Sequence, residues 1–260
     1  MMKAESIKIL NLYPDLANLY GDSGNVKILV DYIEEEGLEV QVDRLEPGQD
    51  WPEAAYDLYY LGSSTEGNFK LILSELSKYG DKIKDLIEGG SRFIFTGNAM
   101  EILGRNIIVE GKPARGLGIF DFNTKALDKR WSNEVIFQDE RGRDILGYQN
   151  LANMSDKTPY PLFKVLKGLG AGASRLPEKT APDQTESAQA IADEGIRYKN
   201  LRASSVIGPL LARNYFLAQD LVREIMEEKG LEYREIDHPY DKKAYEDFRE
   251  ILHRPGRQHG

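Results

Sequence analysis

Residues 92–104, RFIFTGNAMEILG, have the pattern of a strand, a sharp turn and a helix. Many α/β hydrolytic enzymes hold a catalytic nucleophile at the tip of such a turn, which is called the elbow. Here the tip reads Thr96-Gly97-Asn98, so it carries a glycine and an amide where a nucleophile would stand. The whole chain has no cysteine. This absence excludes a thiolate nucleophile, a zinc–thiolate site and disulfide bonds.

Two hydroxyls near the predicted catalytic loops, those of Thr96 and Ser205, are the substitute nucleophiles that the sequence offers. A hydroxyl needs an adjacent base. We considered histidine for that role, and the only histidines follow the last core helix. They are His238, His253 and His259. The sequence therefore does not favour a serine or threonine nucleophile.

The stretch YGDSGN, residues 20–25, could bind a ligand through Asp22 and Asn25. It lacks the lysine of a phosphate-binding loop and the spacing of a dinucleotide fingerprint. Aspartate and serine commonly cap helices, so we predict that Asp22, Ser23 or both cap a helix beginning near Gly24. No acidic cluster has metal-ligand spacing alongside a histidine, and we predict neither a metal nor another cofactor.

Strands and helices alternate in the first 104 residues, and these elements position the residues described above. The predicted strands are residues 6–13, 38–45, 57–62 and 92–97, and the helices are 25–37, about 66–88 and 98–104. Such alternation indicates a parallel sheet, in which ligands bind at the carboxyl ends of the strands. Four loops lie there: residues 14–25, 62–67, 96–100 and 203–210.

The remainder of the chain has short apolar runs separated by turns, which indicate an antiparallel extension, followed by two helices. We predict one domain over residues 1–230 and a C-terminal helix and tail over 231–260. Residues 172–195 are polar and poor in large apolar side chains, so we predict a mobile surface insertion there.

The composition limits the classes of partner and the cellular location that we expect. The formal net charge of −9 argues against nucleic acid or an anionic membrane surface as a partner. No run approaches 18 uninterrupted apolar residues, and the first residues do not read as a signal peptide. We therefore expect a cytoplasmic protein without a transmembrane segment.

Five short motifs, taken together and in order, resemble the GatD family. They are NLYGDSGN (18–25), GLGIFDF (116–122), GYQN (147–150), RYKNL (197–201) and IGPLLARN (207–214). GatD is the glutamine amidotransferase subunit that pairs with the Mur-ligase-like MurT to amidate the D-glutamate of lipid II. The resemblance implies a heterodimer with a MurT-like Mur ligase. It also implies a class I, CobB/CobQ-like amidotransferase fold, which is a flavodoxin-like three-layer α/β sandwich whose mostly parallel central sheet has an antiparallel extension.

When the family's catalytic residues are matched to this sequence, neither member of the catalytic pair is present. The family uses an elbow cysteine as nucleophile and a histidine before the last helix as base. The cysteine position falls at Gly97 and the histidine position at Ile207, while a further family histidine becomes Leu151. Glycine enters the strained backbone of an elbow without a Cβ penalty, so we hypothesise that Gly97 relieves strain there.

Two other parts of the family's site survive only in part. The Gly-rich loop that stabilises the oxyanion reads LGSSTE, so Gly62 is followed by Ser63 and Ser64 in place of two glycines. Both serines could still donate backbone N–H groups to an oxyanion if their φ and ψ angles allow it. Arg130, in LDKRWS, matches an arginine implicated in binding glutamine, although it is equally well explained as a surface cation.

Three functions follow from these residues. The first is a catalytically inactive subunit, a pseudo-amidotransferase, that binds a MurT-like ligase. The second is a working glutaminase that supplies ammonia for lipid II amidation through an unconventional nucleophile. The third is a sensor that keeps a pocket for a glutamine-sized ligand around Arg130 without turnover. The missing thiol and imidazole favour the first.

Overall fold

A central sheet of six strands organises the computed structural model of the chain, which describes residues 6–173 and 193–254. Its strand order is β11-β12-β4-β3-β1-β2, and every pairing except the β11–β12 edge is parallel. The predicted α/β fold with a mostly parallel central sheet is confirmed. The strands of this sheet are β1 (Ser6–Leu12), β2 (Glu39–Leu45), β3 (Leu58–Leu61), β4 (Phe93–Thr96), β11 (Ile196–Tyr198) and β12 (Leu201–Ser204).

Helices cover both faces of this sheet because its strands are apolar on both sides. On β3, Tyr59 and Leu61 pack towards one helical layer, while Leu58 and Tyr60 pack towards the other. The first layer contains α2 (Glu66–Leu76) and α3 (Gly80–Glu88); the second contains α1 (Ser23–Glu35), α4 (Leu210–Arg213) and α5 (Tyr215–Glu228). This arrangement is the predicted three-layer sandwich.

The antiparallel extension is a second sheet with strand order β10-β9-β7-β8. Its inner side chains, among them Val135 and Phe137, pack against Val206 and Leu210 and so fix it beside the end of β12. Helix α6 (Pro239–His253) packs on this sheet through Leu252. The strands are β7 (Thr124–Gln138), β8 (Asp144–Ser155), β9 (Phe163–Lys167) and β10 (Asp193–Glu194), and a separate hairpin comprises β5 (Asn106–Val109) and β6 (Lys112–Arg115).

Two predicted elements differ in detail from the structure. The helical region predicted over 66–88 is divided into α2 and α3 by a 3₁₀ turn, Ser77–Tyr79, before Gly80. The segment after the elbow, Gly97–Leu103, is a 3₁₀ helix. We call it the elbow helix.

The predicted mobile insertion, residues 172–195, falls mainly on residues 174–192, which lie outside the described residues. At its end, Asp193 and Glu194 form β10, and the side chain of Glu194 is buried. Across residues 6–173 and 193–254, no helix is long and apolar enough to cross a membrane.

Candidate functional site

A cleft of about 610 Å³ lies at the carboxyl ends of four neighbouring parallel strands, β1, β3, β4 and β12. The four loops that the sequence placed at this edge all contribute to its lining, so this part of the prediction is confirmed. The antiparallel sheet supplies the opposite wall. Representative lining residues from the four loops and from the sheet are Tyr20, Ser64, Asn98, Ser205, Arg130 and Asn150.

The positions that the resemblance predicts for the nucleophile and the base, Gly97 and Ile207, both line this cleft. Gly97 is the first residue of the elbow helix and has φ +60°, the left-handed backbone region that favours glycine. A Cβ atom built on Gly97 would lie 2.5 Å from Ser63 Oγ, 2.6 Å from Ser63 Cβ and 2.8 Å from Ile207 Cγ2. Ser63 and Ile207 therefore pack closely against Gly97 at the elbow. A side chain at position 97 does not fit without movement.

The backbone N–H groups expected to face an oxyanion are already occupied. Ser63 N donates to Asp22 Oδ2 at 2.6 Å, and Ser64 N donates to Asn98 Oδ1 at 3.0 Å. Asn98 closes a second bond by donating from Nδ2 to Ser64 O at 3.0 Å. At Gly62 a Cβ would lie 2.2 Å from the carbonyl oxygen of Ala17. The expectation that the two serines keep free N–H donors is not met in this arrangement.

Asp22 holds the cleft loops together and does not cap α1, so the predicted cap was wrong for this residue. Its side chain makes no capping bond; it accepts from Ser63 N and from Thr96 Oγ1, the latter at 2.7 Å. Burial raises the pKa of Asp22, while these hydrogen bonds lower it. One fully buried carboxylate thus joins the loop that follows β1 to the loop after β3 and to the end of β4.

The start of α1 is organised by asparagines. Ser23 N donates to Asn18 Oδ1 at 2.8 Å, so Asn18 supplies the acceptor that was predicted from Asp22 or Ser23. Asn25 is fully buried; it donates to Tyr60 Oη at 2.9 Å and accepts from Leu211 N at 2.7 Å. These contacts satisfy Asn25 within the protein, so they give it a structural role.

Arg130 and Leu151 lie on the wall that the antiparallel sheet supplies. The Arg130 guanidinium pairs with Glu66 and donates to Asn150 Oδ1 at 3.3 Å, and its side chain is half exposed. Leu151 lines the cleft from β8. Arg130 therefore faces the cleft, where a role in ligand binding stays a prediction.

The two candidate hydroxyls differ in access. Thr96 is fully buried and bonded to Asp22 and Tyr60 beneath the elbow. Ser205 lines the cleft; its Oγ donates to Glu194 Oε1 at 2.8 Å and accepts from Gln149 Nε2 at 2.9 Å. Glu194 is a buried carboxylate whose pKa is raised by burial. Glu194 was not predicted from the sequence, because only histidine was considered as the base.

The histidines that the structure describes lie elsewhere. His238 stacks on Tyr32 of α1 with ring centroids 3.8 Å apart. His253 Nε2 lies 3.0 Å from Asp144 Oδ2, at the start of β8. His259 is outside the described residues. Neither described imidazole approaches Gly97, Thr96 or Ser205.

Sequence reasoning also missed Glu101, which lies one turn after Gly97 on the elbow helix. Its side chain is only 8% exposed, yet it lines both the cleft and a cavity of about 40 Å³ behind it. Oε2 accepts from Asn153 Nδ2 at 3.0 Å. Burial raises the pKa of Glu101 to about 7, and the negative charge of Glu66 adds to the effect.

Comparison with known proteins agrees with the motif resemblance. The chain is 26% identical over 241 residues to lipid II isoglutaminyl synthase (glutamine-hydrolyzing) subunit GatD of Staphylococcus aureus strain N315, covering 92% of this chain and 93% of that protein. It is 26% identical over 229 residues to the subunit of the same name from Streptococcus pneumoniae strain ATCC BAA-255 / R6, covering 86% and 82%. The predicted resemblance to GatD subunits is confirmed.

Two solved structures of glutamine amidotransferases also resemble the chain. One, from Thermotoga maritima, has a TM-score of 0.49 at 11% identity, covering 95% of this chain and 94% of that one. Another has a TM-score of 0.44 at 13% identity, covering 82% and 98%. No protein-family model matches the chain.

Proposed function

We propose that this chain is a GatD-like subunit that does not hydrolyse glutamine. In this proposal it binds a MurT-like Mur ligase as a heterodimer, in the cytoplasm, and takes part in modification of the cell-wall precursor lipid II. The similarity to GatD subunits along most of the chain supports the pathway. The geometry around Gly97 supports the inactivity.

The observation that carries the proposal is the closed elbow. Gly97 offers no nucleophile, Ile207 cannot accept a proton, and the N–H groups of Ser63 and Ser64 are bonded to Asp22 and Asn98. Removing a nucleophile or its base typically lowers the rate on the order of 10³- to 10⁶-fold. Loss of oxyanion donors lowers it further. These features support the absence of glutaminase activity.

A role as a binding subunit follows from what the chain retains. The fold, the cleft and the loop that Asp22 organises are intact, which supports such a role. Such a subunit would stabilise or position its ligase, which would then use free ammonia or perform a different ligation.

The test is co-expression with a Mur-ligase-like partner, followed by size-exclusion chromatography and a glutamate-release assay. We expect one peak that contains both chains and no glutamate release above the buffer rate. Two separate peaks at micromolar concentration would refute the binding role. Calorimetry with glutamine and with glutamate tests the sensor hypothesis, since binding without hydrolysis would favour it.

The alternative is a working glutaminase, and the contact between Ser205 and Glu194 is the observation in its favour. Ser205 faces the cleft and donates to a buried carboxylate. If the complex releases glutamate, a Ser205→Ala variant should abolish the release. Ser132→Ala is the matched control, because Ser132 is an exposed serine bonded to Tyr148. Glutamate release that survives Ser205→Ala would exclude this nucleophile.

A further inference from the structure

A second space in the molecule is separate from the cleft. It is a cavity of about 70 Å³ between strand β12, helix α5 and the turn that joins β7 to β8. It shares no lining residue with the cleft or with the cavity of about 40 Å³ behind Glu101. We call it the arginine cavity, because Arg197 and Arg202 line it. The proposed function does not use it.

Much of the lining of the arginine cavity is apolar. Its volume has room for about five to seven water-sized molecules. Small-molecule sites typically combine apolar walls with a few polar groups. A ligand of about six non-hydrogen atoms with a short apolar chain therefore fits. The apolar side chains come from α4, α5, β4 and β9: Leu210, Leu211, Leu217, Leu221, Ile94 and Phe163.

Two arginines stand side by side at the polar side of the cavity. Arg197 of β11 and Arg202 of β12 are direct partners in the antiparallel pairing, so their side chains lie on the same face of the sheet. Like charges at such positions repel each other. Arg197 pairs with Glu140 at 2.5 Å, and Arg202 pairs with Glu224 at 2.6 Å. The Glu140 side chain is 62% exposed, and an exposed pair of this kind contributes little, so a ligand carboxylate can replace Glu140.

One nitrogen of Arg202 has no acceptor. Across the part of the chain that the structure describes, Nη1 is buried without a hydrogen-bond partner, whereas Nη2 donates to Glu224 Oε1. A buried donor without an acceptor is costly. The side chain as a whole is 21% exposed and lines the cavity, so the guanidinium is not sealed off from it. A carboxylate there would supply the missing acceptor in a charge-assisted hydrogen bond.

The other charged groups at the arginine cavity bond to one another. Arg143 pairs with Asp139 and Asp220, and Arg141 pairs with Asp220. Among the described residues that line the cavity, four arginines and four carboxylates leave no formal net charge. No excess of positive charge is present to hold a dianion beside the apolar walls. This balance favours a monoanion over inorganic phosphate.

We propose that the arginine cavity binds a small monocarboxylate with a short apolar chain. The carboxylate lies between Arg197 and Arg202, and a slight turn of the Arg202 guanidinium brings Nη1 to one of its oxygens. The chain of the ligand packs against the leucines of α4 and α5. This inference goes beyond the proposed function and does not depend on it.

Methyl NMR of the full chain, with ¹³C-labelled leucine methyl groups, tests the site with butyrate as the probe. Sodium butyrate is titrated at constant ionic strength, and Leu221→Met assigns the Leu221 signals by their disappearance. We expect saturable shifts of the Leu221 methyl signals, with a Kd on the order of 1–10 mM for a ligand of six non-hydrogen atoms. Acetate lacks most of the apolar chain and should bind roughly tenfold more weakly. Butyramide has the same shape without the charge and should also bind roughly tenfold more weakly.

Three variants define the outcome. Arg202→Gln should weaken butyrate binding about tenfold or more. Arg44→Gln is the matched control, because Arg44 is a half-exposed arginine on β2, at the opposite edge of the central sheet, and its loss should leave the Kd unchanged. If Arg202→Gln does not fold, Leu217→Phe keeps every charge, narrows the cavity and should weaken binding to a similar extent. No saturable Leu221 shift up to about 50 mM butyrate, equal affinities for butyrate and butyramide, or parental affinity in the Arg202 variant (in Leu217→Phe if that variant does not fold) would overturn the assignment.

Discussion

A Gly97→Ala substitution tests the closed elbow most directly. The added methyl group would force alanine to adopt φ +60°, which costs about 1–2 kcal/mol for a residue with a Cβ. It would also lie 2.5–2.6 Å from two atoms of Ser63 and 2.8 Å from Ile207 Cγ2. Overpacking of this kind costs about 1–3 kcal/mol.

One stabilising effect opposes the backbone cost and the overpacking cost. Replacing glycine by alanine reduces the entropy of the unfolded chain, which offsets about 0.4–1 kcal/mol. We therefore expect Gly97→Ala to lower the free energy of unfolding by about 2–4 kcal/mol. Differential scanning calorimetry should show a melting temperature lower by about 5–15 °C for a chain of this size.

A control and a rescue separate the backbone effect from the packing effect. Gly90 has φ +89°, and a Cβ placed on it would have no atom within 4 Å, so Gly90→Ala reports the backbone cost alone, about 1 kcal/mol. Ser63→Gly removes the two closest atoms, so a double-mutant cycle with Gly97→Ala should show a favourable coupling of about 1 kcal/mol or more. An unchanged or higher melting temperature for Gly97→Ala would refute the reasoning.

Three further predictions concern the buried polar groups. Because the native pKa of Glu101 is raised to about 7, its contribution to stability is present below about pH 4.5 and is lost as the pH rises to about 7. In urea unfolding, the stability of Glu101→Gln relative to the parent should therefore increase by about 3 kcal/mol between these limits. A difference that stays constant with pH would contradict the burial. Asp22→Asn should lower the free energy of unfolding by about 1–3 kcal/mol and shift the amide NMR signals of Ser63, since the charged acceptor is lost; a variant with parental stability and an unmoved Ser63 signal would remove Asp22 from this role. Glu194→Ala should lower the free energy of unfolding by about 1–3 kcal/mol, because it leaves the hydroxyl and the N–H of Ser205 without their acceptor, and parental stability in chemical denaturation would contradict that contact.

Periodicity and turn residues were enough to predict the strands, most helices and the edge of the sheet that forms the cleft. The apolar runs 6–13, 57–62 and 92–97 correspond to β1, β3 and β4. The carboxyl ends of parallel neighbours necessarily meet, so the four cleft loops followed from the strand assignments. Local pattern was sufficient because each of these signals lies within a short stretch of sequence.

The polar interior could not be predicted in the same way, because its partners are distant in sequence. Asp22 precedes a helix, which is the pattern of a cap, yet its carboxylate accepts from Ser63 and Thr96, which are 41 and 74 residues away. Glu101 meets Asn153 across 52 residues. Glu194 ends a stretch whose polarity is typical of a surface segment, but its carboxylate is buried against Ser205.

The hydrogen bonds of the Asp22 carboxylate have a consequence for association. Loops that are free to move before a complex forms lose conformational entropy when it does, and that loss weakens binding. Here the loop after β1, the loop after β3 and the end of β4 are bonded to one buried group before any partner arrives. A protein that binds to these loops would meet a preorganised surface. Its contacts would then contribute to affinity with little loss of conformational entropy in the loops.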